Sequence, residues 1–168
     1  MLCGVGARAA AYAAANATGA RVALVEASDR IGGMMVPGGI GRDSDDFASA
    51  FGAGSFARAW VDENGAAYGV PYVLQPDVVV GNASLWAMLG RAPSLRVFRG
   101  AGLVDGPGAV SRAGTVVTRI VTVDPAGGGG TVAWTAAQFV DASYDGDLAV
   151  AAGVTYTYKY KYKYKIYL

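Results

Sequence analysis

The chain has 168 residues, of which 53% are hydrophobic and 16% charged, so it can bury a core and does not read as a disordered polymer. It contains one cysteine, Cys3, and no histidine. That excludes an internal disulfide and removes the commonest general base and zinc ligand. The net charge is +1, but every lysine lies at position 159, 161, 163 or 165, and ten arginines against thirteen acids leave the rest at −3. The body therefore carries no basic footprint for nucleic acid. No apolar run approaches the roughly 18–20 residues of a membrane span.

Residues 1–20 are Ala-rich, Arg-bearing and free of acids, a composition shared with targeting peptides. A structural reading accounts for the same residues. Gly4-Val5-Gly6-Ala7-Arg8-Ala9 matches G-x-G-x-x-G/A. In that pattern one glycine makes a strand-to-helix turn. The next lets backbone approach a pyrophosphate, and the small third residue lets helix and strand pack closely. Ala7 to Ala17 is nearly all helix former, with Gly19 placed as its C-terminal stop. Val22-Ala23-Leu24-Val25 reads as a buried parallel strand, and Glu26 follows it. Only Leu2 and Cys3 stand before the first glycine after the initiating Met, so the opening strand of this βαβ unit reads as truncated.

Residues 32–41 are rich in Gly and read as a loop. Phe47 to Asp62 suggests an irregular helix. Ala83 to Gly90 suggests a shorter one, with Leu85, Met88 and Leu89 on one face. Leu95 to Phe98 is the next strand. Val116–Val123 and Thr131–Thr135 are β-rich runs joined across Pro125 and four glycines, as a hairpin. Ala137 to Asp141 is expected as a further strand. Asp145-Gly146-Asp147 then opens a helix that an aspartate caps and Gly153 ends. From Tyr158 to Lys165 tyrosine and lysine alternate strictly. The preferred reading is a simple repeat translated past the end of the folded unit. A basic-aromatic strip and an added edge strand are the other readings. The expected division is residues 1–157 as a partial cofactor-binding domain and 158–168 as a low-complexity tail.

Glu26 ends its strand 20 positions after Gly6, where an acid can accept hydrogen bonds from adenosine ribose hydroxyls. NAD and FAD would both use that arrangement. Gly32-Gly33, with Gly38-Gly39 beyond, favours the longer flavin, because a Gly-rich loop lets main chain line its ribityl part. The stretch from Ala20 to Gly41 resembles the opening of FAD-dependent oxidoreductases, in which an acid leads into IGGM and a second glycine pair. Residues 139–157, FVDASYDGDLAVAAGVTYT, resemble the same family's second signature. The resemblance implies an α/β protein with a partial FAD/NAD(P)-binding Rossmann-like fold: a parallel sheet with a truncated first strand, plus a small β-hairpin or meander.

It further implies FAD as cofactor, held non-covalently for hydride transfer to a small-molecule substrate. Gly4, Gly6 and Ala9 would surround the pyrophosphate. Glu26, with Ala27 beside it, would hold the ribose. Gly32, Gly33 and Met34 would pass near the phosphates and ribityl chain. Backbone near Leu103 and Val104 would face the adenine, and Asp141, Ala142 and Ser143 would bring a strand end back to the cofactor. Asp145 and Asp147 read equally as helix caps or cofactor contacts. No catalytic residue or metal site is legible. Two other readings stand beside this one: an NAD-binding Rossmann module, and a degenerate remnant without activity. Neither nucleic acid nor membrane is expected as a partner, and the cytoplasm is the expected compartment.

Overall fold

The computed structural model describes residues 5–33, 36, 52 and 54–155. Gly4, Met34, Gly38-Gly39 and the Tyr/Lys tail lie outside the described residues. The elements in chain order are α1 (Val5–Thr18), β1 (Val22–Val25), α2 (Phe56–Tyr68), α3 (Val78–Gly90), β2 (Leu95–Phe98), β3 (Val110–Ala113), β4 (Val116–Val123), β5 (Thr131–Thr135) and α4 (Asp147–Ala151).

β1 and β2 form a parallel ladder, with Val22 opposite Leu95 and Val25 opposite Phe98. Side chains alternate across a strand, so this register sorts the residues into two faces. Val22, Leu24, Leu95 and Val97 meet a cluster built from Ala11 of α1, Trp60 and Val61 of α2, and Leu85, Met88 and Leu89 of α3. On the other face Phe98 stacks edge-on against Trp134 of β5, with ring centroids 4.7 Å apart. β3, β4 and β5 form an antiparallel meander on that side. The result is a helix layer, a parallel sheet and a β-meander, as the sequence suggested.

The boundaries show which local signals dominate. β1, β2, β4 and β5 lie where the apolar runs placed them. Gly19 adopts φ +65° and its N–H donates to Ala15 O, closing α1. α3 begins at Val78, five residues before the expected start, because the Asp77 carboxylate accepts the Val79 N–H at 2.8 Å. Three consecutive β-branched valines hide that start from a propensity reading, and the cap outweighs them. α2 begins at Phe56, where Ser55 Oγ accepts the Arg58 N–H. β3 has no clear apolar alternation and was not anticipated; its bonds to β4 form it. Ala137 to Asp141 is not a strand.

α2 and α3 are stitched together by the Trp60 indole, which donates to Gly81 O at 3.0 Å, and by Arg91 and Glu63 at 2.6 Å. Beyond α2 the chain doubles back over Gly65. A Cβ there would lie 2.5 Å from the Tyr72 N and Cα and 2.6 Å from Val70 O. Those are backbone atoms that cannot swing aside. Helix propensity favours alanine over glycine by about 1 kcal/mol. Overpacking against fixed backbone costs about 1–3 kcal/mol or more, and prevails. Gly65→Ala is therefore expected to lower the denaturant midpoint. A rise would show that the 70–72 turn yields freely.

Candidate functional site

Two contacts fix the direction of α1. Near its C-terminal end, Ser94 Oγ, just before β2, donates to Ala15 O at 3.4 Å. Near its start, Arg8 Nη2 lies 4.0 Å from Oε2 of Glu26, just past β1. The helix thus runs back along the strands, and its N-terminal turn stands at their C-terminal ends. Helix N-termini present unsatisfied N–H groups and partial positive charge, and this is the end of the sheet where that charge is placed.

Glu26 is 6% exposed and Arg8 1% exposed. The Ser28 N–H donates to Glu26 Oε1 at 2.9 Å, and the Ser28 hydroxyl oxygen lies 2.9 Å from the same atom. Oε2 accepts no hydrogen bond among the described residues, since Arg8 stands at 4.0 Å, beyond hydrogen-bond reach. The carboxylate is thus braced through one oxygen and keeps acceptor capacity on the other. Main chain fixes the acid as well: Glu26 N–H donates to Phe98 O at 2.8 Å, and Glu26 O accepts the Ala101 N–H at 2.9 Å. Gly102 lies against Ala27; a Cβ on it would stand 3.5 Å from the Ala27 Cβ. The strand ends are therefore walled by small residues.

The loop that follows carries Ile31, fully buried, then Gly32 at φ +123° and Gly33 at φ +54°. Both values suit glycine and strain other residues, so the pair is required by backbone geometry. Arg99 ties this loop to the end of β2, donating to Asp29 O at 2.9 Å. Val104 lies farther along. Its N–H donates to Val121 O at 3.1 Å, and Leu103 bridges Thr122, so this stretch is sewn to β4.

Asp141 is placed by a different device. Its Oδ1 accepts the Ser143 N–H at 3.0 Å and the Ser143 hydroxyl at 2.7 Å. Its Oδ2 accepts the Ala149 N–H at 2.8 Å. Ser143 Oγ in turn accepts the Asp147 N–H at 2.9 Å. The opening of α4 is therefore capped from upstream by Asp141 and Ser143. Gly146, at φ +74°, holds the N-cap position with no side-chain bond, which corrects the expectation of an aspartate there. Asp147 sits exposed in the first helical turn, where its charge suits the helix dipole. Ala142 packs against the core cluster that also holds Leu24 and Ile31.

The family model described as FAD dependent oxidoreductase matches residues 3–163. The chain belongs to that family. No curated protein and no solved structure matches it. FAD is thus the family's cofactor, and oxidoreduction its class of reaction. The fold brings Gly6, Ala9, Glu26, Ala27, Gly32 and Gly33 to the strand ends and the loop leaving them. It also adds Arg8, Ser28 and Gly102, which sequence reasoning missed. Arg8 had one signal: it is the lone cation in an alanine-rich helix start. Among the described residues no group of metal-binding side chains occurs, and no helix is long and apolar enough to cross a membrane.

Burial raises the Asp141 carboxyl, but hydrogen bonds from the N–H groups of Ser143, Ala149 and Leu148 and from the Ser143 hydroxyl outweigh it and hold it below its ordinary value. A carboxyl lowered on folding adds stability above its unfolded value, near pH 4, and loses it as pH falls through the folded value. Asp141→Ala is expected to cost about 1 kcal/mol at neutral pH, in the range of a lost helix cap. The difference from the parent chain should shrink below about pH 4. A constant difference down to pH 2 would show that the carboxylate charge is not what caps α4.

Proposed function

We propose that the C-terminal end of the β1–β2 ladder holds the ADP half of FAD without a covalent bond. The supporting observation is the Glu26 carboxylate, braced on Oε1 by Ser28 and set beside the first turn of α1. A ribose diol needs an acceptor at this height, and a diphosphate needs the free N–H groups of a helix start. In this reading Gly4, Gly6 and Ala9 let main chain approach the pyrophosphate, and Glu26 Oε2 accepts from the ribose. Ala27 and Gly102 leave flat space for the adenine, with the carbonyl side of Val104 beyond. Gly32, Gly33 and Met34 pass the ribityl chain, and Asp141 and Ala142 hold α4 and its loop against the same end.

When bound, FAD supplies hydride chemistry through its isoalloxazine ring. The described residues supply positioning and charge. With no histidine in the chain, proton movement falls to carboxylates, hydroxyls or the substrate itself. Residues 1–157 form the cofactor unit in this reading, and the substrate is a small molecule.

The test is titration of the full chain with FAD, followed by quenching of flavin fluorescence. Removing a charged acceptor costs about 1.5–3 kcal/mol, so Glu26→Ala is expected to weaken FAD roughly 10- to 150-fold. Glu26→Gln, which keeps an acceptor oxygen, should lose less. Equal affinity in Glu26→Ala would remove the acid from the site. Tighter binding of NADH than of FAD by the parent chain would move the reading to a nicotinamide cofactor.

A further inference from the structure

A second feature lies at the other end of α1, away from Glu26. In β1 the N–H groups of Val22 and Glu26 donate to Ser94 O and Phe98 O. Strand alternation turns the N–H and C=O groups of Ala23 and Val25 to the opposite edge. That edge opens into a cavity of about 410 Å³. Ala10 and Ala14 of α1 form one wall, Ile120 and Trp134 of the meander the facing wall, and residues 136–140 the far bank. Both banks are extended main chain, or chain of strand composition, that forms no ladder across the opening. No carboxylate lines the cavity.

We propose that this gap is a receptor for an extended, uncharged apolar strand. The banks call for a polypeptide that offers N–H and C=O groups on both edges, as β-augmentation requires. The walls bury both faces of the guest, so successive residues must be apolar, as in a parallel strand covered on each side. The alternating Tyr/Lys tail does not meet that requirement, because its lysines would all enter one apolar wall without a carboxylate partner. A second copy meeting edge to edge would bring its own α1 and 136–140 bank into collision with these. Ala137 to Asp141 has the composition of a strand but no ladder, and a guest beside it would supply one. The gap is independent of the cofactor reading, since it is lined by the C-terminal half of α1.

The experiment uses the full chain with acetyl-Lys-Val-Val-Ile-Val-Gly-amide as the probe. Controls are a version with proline at alternate valines, which lacks ladder donors, and acetyl-Tyr-Lys-Tyr-Lys-Tyr-Lys-amide. The apolar peptide is expected to raise the unfolding temperature saturably, by about 5 °C at high occupancy, and to shift tryptophan emission through Trp134. Ala14→Leu places a good helix former at an exposed α1 position that lines the gap. It should fold and weaken the peptide at least tenfold. No shift with the apolar peptide, an equal shift with either control, or an undiminished shift in Ala14→Leu would overturn the proposal. A peptide-free dimer that Ala14→Leu dissociates would also overturn it, in favour of a second copy.

Discussion

The parallel ladder between Val22–Val25 and Leu95–Phe98 is the constraint on which the rest depends. Four residues on each strand set the register, and the register fixes which side chains meet which layer. Leu24 and Val97 draw in three helices, while Val25 and Phe98 turn towards the meander. A register slip by one residue would exchange these faces and leave each layer packed against the wrong surface. Because the ladder is parallel, both strands also end at the same edge. The Glu26 and Phe98–Gly102 turns are therefore neighbours, and an acid, a helix start and small residues share one small region.

The chemistry of that region follows from what the chain lacks as much as from what it has. With no histidine, and no metal-binding group among the described residues, an oxidoreductase of this family depends on its cofactor for reactivity. The protein's part is to hold charge in fixed places. Glu26 is held by two main-chain bonds and by Ser28. Asp141 is held by the start of α4. In each case hydrogen-bond donors around a carboxylate favour its ionised form, so local structure and local charge are set together.

Elements whose signal was self-contained were legible in the sequence. β1 and β2 are short apolar runs with clear ends, and the Gly32-Gly33 pair marked backbone of positive φ. Glu26 was legible because its spacing from the glycines reflects one helix and one strand. What was hidden depends on partners distant in sequence. The α3 start lies under valines that favour strands, and Asp77 overrides them. The cap of α4 comes from Asp141, eight positions before the Ala149 it binds, rather than from the nearer aspartates. The Val104 N–H goes to β4, a pairing that only the meander's path reveals.

The expected strand at Ala137 to Asp141 is the most informative difference. Strand propensity measures how well side chains suit a pleated, half-buried surface; a strand exists only when its backbone finds a ladder. Here the neighbouring position holds a gap, bounded on its other side by the unpaired edge of β1. α1 roofs the gap with Ala10 and Ala14 and reaches Glu26 with its first turn. One rigid helix therefore borders both features. A strand seated in the gap would fix α1 against the sheet, and with it the position of the helix N–H groups relative to Glu26. Occupation of the two ends would then be coupled, and by linkage the coupling is reciprocal: whatever a seated strand contributes to the order of the cofactor end, a bound dinucleotide contributes to the order of the gap.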